Sequence, residues 1–190
     1  PSRTINDRGI VNSDWFVTQE GDGFESQIDP SNPNIVYAQA QYGWVSRFDR
    51  LSGEKVPIQP VSPPGVKPYR WNWDAPLLIS PHDPATLYFA ANVVFKSTNR
   101  GNEWSTVSPD LSKQIDRNTL PVMGKVWSMD AVAKNQSTSI YGNVLSLAES
   151  PVKKGWLYAG TDDGLIQVST NDGGSWTRVE SFPGIPANTP

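Results

Sequence analysis

Short apolar or alternating runs, broken by clusters of Pro, Gly, Asn, Asp and Ser, recur along this 190-residue chain. Asn92-Val93-Val94-Phe95-Lys96 and Gly164-Leu165-Ile166-Gln167-Val168 each lead into a polar stretch of eight residues, and Trp104-Ser105-Thr106-Val107 and Trp176-Thr177-Arg178-Val179 each resume the apolar pattern after it. Such a run, a Gly-bearing polar turn and a second run predict an antiparallel hairpin. Three further segments predict paired strands of their own: Ile28 to Ala38, Ile79 to Phe89 and Glu149 to Ala159. In each, a strand ends, a Pro-bearing turn follows, and an aromatic-apolar strand begins, with Tyr at 37, 88 and 158.

The eight-residue stretches are copies. Ser97-Thr98-Asn99-Arg100-Gly101-Asn102-Glu103-Trp104 returns 72 positions later as Ser169-Thr170-Asn171-Asp172-Gly173-Gly174-Ser175-Trp176. Ser, Thr, Asn, Gly and Trp hold their places. Ser and Asn side chains can bond turn amides, Gly supplies a positive φ, and Trp offers a large apolar face to a neighbouring sheet. The octapeptide therefore predicts a hairpin with an anchor, and its polar residues read as structural.

Joining both kinds of hairpin gives four strands per unit, the blade of a β-propeller with a usual period of about 40–50 residues. The expected fold is all-β, a partial β-propeller of about three four-stranded antiparallel blades. Blade one covers 22–60, blade two 73–109 and blade three 143–182, with an insertion at 110–141. Residues 1–21 read as the tail of a preceding blade or a linker, and 183–190 as a connection to a further blade. Propellers close with about four to eight blades, so the chain is expected to be part of a longer protein or to complete a ring with another chain.

Composition removes several classes. Lys and Arg number 16 against 19 Asp and Glu, with no basic cluster, which argues against nucleic acid. No apolar run reaches the roughly 18 residues that span a bilayer. The absence of Cys removes disulfides and thiol chemistry. His82, with no second His, gives no metal site or Ser-His pair; no cofactor and no metal are expected. One sequon, Asn135-Gln136-Ser137, is present.

The octapeptides resemble the Asp-box, S/T-x-D-x-G-x-x-W, of bacterial-neuraminidase-repeat propellers, with Asn in the Asp position. Gly21-Asp22-Gly23-Phe24, Tyr69 to Pro76, Ser80 to Pro84 and Gly160 to Gly164 resemble sortilin-type bacterial propellers, many labelled glycosyl hydrolase. The resemblance implies that Ser97, Asn99, Gly101, Trp104, Ser169, Asn171, Gly173 and Trp176 form folding elements away from the active face. It also implies an exported bacterial protein, periplasmic, cell-surface or secreted. Sialidases of this architecture use an arginine triad, a Tyr nucleophile and an acid Asp, but Arg47, Arg70, Arg100 and Arg178 fall in different parts of the repeat. Xyloglucanases use two facing carboxylates between two propellers.

In a propeller, the loops leading into innermost strands share a face with those between second and third strands. That places Trp71, Trp73, Asp74, Tyr42, Asp162 and Asp163 together as candidate ligand-binding residues. Rings beside carboxylates suit a sugar, whose C–H faces stack while its hydroxyls hydrogen-bond. The alternation of Trp71 and Trp73 also predicts that one of them is blade core, and Asp162-Asp163-Gly164 also reads as a plain turn. The leading expectation is a propeller segment that binds a carbohydrate or protein partner and is non-catalytic by itself. The alternative is a fragment of a glycoside hydrolase, xyloglucanase-like or sialidase-like.

Overall fold

The computed structural model describes residues 9, 11–134, 136 and 140–186. The sequon and residues 187–190 lie wholly or partly outside them, as do most of the first ten residues. Among the described residues, twelve strands form three four-stranded antiparallel sheets, each with its strands in chain order or its reverse. Blade one holds β1 (Ser26–Ile28), β2 (Ile35–Gln39), β3 (Val45–Asp49) and β4 (Lys55–Pro57). Blade two holds β5 (Leu77–Ile79), β6 (Leu87–Ala90), β7 (Val94–Ser97) and β8 (Ser105–Thr106). Blade three holds β9 (Val144–Glu149), β10 (Leu157–Thr161), β11 (Ile166–Ser169) and β12 (Thr177–Val179). No helix among the described residues is long and apolar enough to cross a membrane.

The second strand of each blade is the most buried. β6 has no exposed residue because it packs on both faces, which explains its unbroken apolar run Leu87-Tyr88-Phe89-Ala90. One core lies between blades one and two and includes Tyr37, Val45, Ile58, Trp71, Phe89 and Phe95. A second, between blades two and three, includes Tyr88, Val94, Leu111, Val144 and Leu157.

Both octapeptides fold alike. Ser97 Oγ accepts the Gly101 amide at 2.8 Å and Ser169 Oγ accepts the Gly173 amide at 2.9 Å. Asn99 Oδ1 accepts the Glu103 amide and Asn171 Oδ1 the Ser175 amide, each at 2.9 Å. Arg100 and Asp172 take left-handed φ values of 60° and 61°, conformations held by these side-chain bonds. Gly101 and Gly173 follow at φ 83° and 87°. A Cβ on Gly101 would meet Ile58, and one on Gly173 would overlap Val107.

The tryptophans then tie blade to blade. Trp104 Nε1 donates to the Ile58 carbonyl at 2.6 Å, and Trp176 Nε1 donates to the Val107 carbonyl at 2.9 Å. Both rings are partly buried against the interblade cores. In blade one the corresponding turn has Asp49 capping the Leu51 amide and no Trp.

Residues 11–25 form no strand; Phe16 stacks on Phe48 of β3 at 5.9 Å, with Arg50 over its ring. In the insertion, a single turn of 3-10 helix at Arg117–Thr119 and an isolated bridge between Val122 and Lys125 are the regular features among the described residues.

Candidate functional site

The turns joining first to second and third to fourth strands lie at one end of each blade, as bonds such as Arg50 N to Asn34 O show. The lead-in segments and the connections between second and third strands lie at the other end. The segment 70–74, which leads into β5, lies on that face. Trp71 turns inward against Phe89 at 4.7 Å and Phe95 at 5.6 Å, and is 8% exposed. Gly43, at φ 75°, lies where any Cβ would overlap the Trp71 ring. Trp71 is therefore core, and the expectation that it binds ligand is corrected.

Trp73 and Tyr42 do meet. Their rings form an edge-to-face pair with centroids 5.1 Å apart at 74°. The Tyr42 amide donates to the Trp73 carbonyl at 3.2 Å, and Gln59 Nε2 donates to the Tyr42 carbonyl at 3.0 Å. Tyr42 sits at φ 59° in the short 3-10 turn Gln41–Gly43, between β2 and β3. These bonds hold the backbone beneath both rings, and each ring remains half-buried.

Two carboxylates flank this corner. Asp74 Oδ1 accepts from Gln39 Nε2 at 3.3 Å, and Glu25 Oε2 accepts the Leu77 amide at 3.3 Å. Both side chains reach solvent, yet both titrate above their ordinary values. Desolvation raises Glu25, with the charge of Asp74 adding to it, and desolvation raises Asp74. Gln39 is 1% exposed, and its Oε1 has no hydrogen-bond partner.

Asp162 and Asp163 belong to a second cluster, between blades two and three. Asp162 Oδ1 accepts the amides of Gly142 and Asn143, each at 2.9 Å. Burial pushes this carboxyl up to about 6 against the lowering effect of those two amides. Asp163 is fully buried; it accepts from Thr161 Oγ1 at 2.5 Å and from the Lys113 amide at 2.6 Å. Asp163 is thus a turn residue closed to ligand, contrary to its expected role.

Arg70 donates to Asp110 Oδ2 at 2.8 Å, to Ser112 Oγ at 3.0 Å and to the Gly142 carbonyl at 2.8 Å. Asp110 is correspondingly lowered: the Ser112 and Arg70 hydrogen bonds outweigh its desolvation. Both ends of the insertion are thereby pinned to this face. Beyond them it forms a groove of about 920 Å³ lined by residues that include Arg117, Trp127, Lys134 and Tyr141.

The two clusters are continuous. The Asp74 amide donates to Asn72 Oδ1 at 2.9 Å, Asn72 Nδ2 donates to Asn143 Oδ1 at 2.9 Å, and the Asn143 amide donates to Asp162. Asn143 Nδ2 is buried without a hydrogen-bond partner. The face thus brings Tyr42, Trp73 and Asp74 together with Glu25 and Gln39. Asp162 lies at the far end of an asparagine ribbon.

Gln39, Asp110 and Ser112 were not singled out in the sequence. Gln39 ends an otherwise apolar strand, and a buried amide at that position is the signal that could have marked it. His82 bonds the Ser150 carbonyl at 2.8 Å through Nε2. No group of three or more His, Cys, Asp or Glu able to hold a metal occurs among the described residues. The arginines stand apart: Arg70 serves the insertion, Arg47 and Arg100 join blades one and two, and Arg178 pairs with Glu180.

No family model and no curated protein matches the chain. Among solved structures, a GH74 enzyme from Niastella koreensis is similar over 87% of this chain and 22% of its own length, at 19% identity and a TM-score of 0.50. An ancestral GH74 enzyme is similar over 84% of this chain and 18% of its own, at 17% identity and a TM-score of 0.49. YCF48 bound to D1 peptide is similar over 83% of this chain and 40% of its own, at 10% identity and a TM-score of 0.44. The chain spans 22% and 18% of the two GH74 enzymes. The likeness is one of fold, and with the three four-stranded sheets it makes this chain part of a β-propeller.

Proposed function

We propose that the face carrying Tyr42, Trp73 and Asp74 binds carbohydrate, without catalysis by this segment alone. The observation that carries the reading is the Tyr42–Trp73 pair, 5.1 Å between centroids, set beside the solvent-reaching carboxylates of Asp74 and Glu25. A fixed ring supports the C–H face of a pyranose, and carboxylates accept its hydroxyls. The exported bacterial setting implied by the sequence resemblance belongs to the same proposal. The test is titration with plant and bacterial oligosaccharides. Trp73→Ala should weaken binding at least about tenfold, the scale of one stacking contact, while Asp74→Asn should change it less. Loss in neither variant would remove the site.

One observation favours a second reading, a share in a glycoside hydrolase site. Burial holds the Glu25 carboxyl above its ordinary range, with the charge of Asp74 adding to it, and burial raises Asp74 as well; raised carboxyls suit general-acid work. Hydrolysis abolished by Asp74→Asn with binding intact would establish that reading over simple binding.

A further inference from the structure

The groove of the insertion plays no part in the carbohydrate reading, and the loop's own bonds build it. Val122 and Lys125 pair across Met123 and Gly124, which take φ 54° and 78°. Two such residues in succession make the tight turn of a small hairpin. Trp127 Nε1 donates back to the Val122 carbonyl at 3.0 Å, and the Lys125 ammonium lies 4.6 Å from the centroid of the Trp127 ring. Lys134 Nζ donates to the Trp127 carbonyl, and Arg117 Nη1 donates to the Lys134 carbonyl at 2.9 Å. Tyr141 closes the groove beside Gly142, whose carbonyl and amide are held by Arg70 and Asp162.

Two properties define the occupant. The first is apolar surface. Leu120, Val122, Val132 and Ile140 give the groove aliphatic walls, and Val132 is 99% exposed. Apolar surface gathered in one concavity marks a binding site, and about 920 Å³ is the size of a ligand cleft. The second is charge. Arg117, Lys125 and Lys134 line the groove against one lining acid, Asp130, in a chain of net charge −3. None of these three cations makes an ion pair among the described residues. Their partners are carbonyls and a ring, which orient a cation without cancelling its charge. The groove therefore keeps a positive potential and selects an anion.

We infer that this groove binds an acidic peptide segment of a partner protein, one that sets Asp or Glu among aliphatic and aromatic side chains. Its carboxylates meet Lys125, Lys134 and Arg117, and its apolar side chains lie on the walls. An acidic oligosaccharide would answer the cations but would lay its hydroxyls on aliphatic walls that offer no partner. An anionic lipid surface is flat and would leave the concavity unfilled. The site is separate from the Tyr42–Trp73 corner, where the carboxylates of Asp74 and Glu25 repel an acidic ligand.

The probe is a phage-displayed library of random peptides, panned on the immobilised whole chain. Retained sequences should be rich in Asp and Glu, should carry Leu, Ile or Phe beside them, and should be poor in Lys and Arg. Fluorescein-labelled copies of these peptides then report binding by anisotropy. Added salt should weaken it. Lys125→Glu should weaken it at least about tenfold, since it sets like charges together. Val132→Asp, at a fully exposed position, should also weaken it, and Asp130→Asn should tighten it about two- to threefold. All three positions are exposed, so unchanged urea midpoints will show the fold intact. Retained peptides without acidic enrichment overturn the inference, as does binding that survives both Lys125→Glu and Val132→Asp. Displacement of the peptides by oligogalacturonate also overturns it and gives the groove to an acidic sugar. Capture of phosphatidylglycerol vesicles that is lost in Lys125→Glu overturns it in favour of a lipid surface.

Discussion

The interfaces on either side of blade two use one device and two different fillings. In both, an octapeptide Trp reaches back to a carbonyl just beyond the preceding blade's fourth strand. Between blades one and two the space beneath is aromatic, with Trp71 against Phe89 and Phe95, and Tyr69 against Phe95 at 4.7 Å. Between blades two and three it is mainly aliphatic and small: Ala90, Val94, Leu111, Val144 and Ala159, with Tyr88 at its edge. There the insertion supplies Leu111, and a polar clasp of Arg70, Asp110 and Asp162 closes the loop end. The repeat thus fixes how blades are joined, and the residues led in from the loops decide what each joint can do. The first joint presents rings to solvent through Trp73 and Tyr42; the second anchors the insertion.

The largest expected effect breaks the aromatic joint. Trp71→Ala removes the ring shared by Phe89, Phe95 and Tyr69 and leaves a void that Gly43 cannot fill. The loss should be about 3–5 kcal/mol, the usual cost of a large aromatic-to-alanine change in a packed interior. Urea unfolding measures it. A loss below about 1 kcal/mol would mean that the ring belongs to the surface after all.

A smaller effect tests whether the device is common to both joints. Trp104→Phe and Trp176→Phe keep a ring and delete the indole donor to Ile58 and Val107. Each should cost about 1–2 kcal/mol, for a carbonyl left without its partner. Similar values would show the two joints to be equivalent at this bond, despite their different fillings. A clear difference, again read from urea midpoints, would show that the filling around each indole outweighs the bond it makes.

Part of this was legible in the sequence because it is encoded locally. The octapeptides carry their own capping residues, glycines and anchor, so their geometry follows from eight residues wherever they fall. The paired Tyr positions likewise follow from strand alternation. Trp71 and Trp73 could not be told apart, since both sit in the same phase two residues apart. The structure separates them through Gly43 and Phe89, which are distant in sequence. Asp162 and Asp163 differ for the same reason. One caps Gly142 and Asn143, the other Lys113, and neither partner is visible from the turn itself. Gln39 escaped notice because its partner, Asp74, lies 35 residues away on another blade.

The smallest expected effect sharpens the second joint and depends on pH. Asp162 is raised from 3.8 to about 6 by burial, against the amides of Asn143 and Gly142 and the charge of Arg70. Ionising it is therefore harder in the folded chain than in the unfolded one. Its favourable contribution is fully present below about 3.8 and is lost as pH rises through about 6. Asp162→Asn keeps an oxygen for the two amides and removes the charge. The variant should gain stability relative to the parent as pH climbs from 4 to 6, and the gap should then level off. Solvent reaches part of this side chain, and screening holds the gain to about 1 kcal/mol, or about 2–4 °C in a thermal midpoint. Thermal unfolding at pH 4, 5, 6 and 7 measures the gap. A gap that shrinks as pH rises would show that the ionised carboxylate, drawn by Arg70, stabilises the clasp more than its burial opposes it.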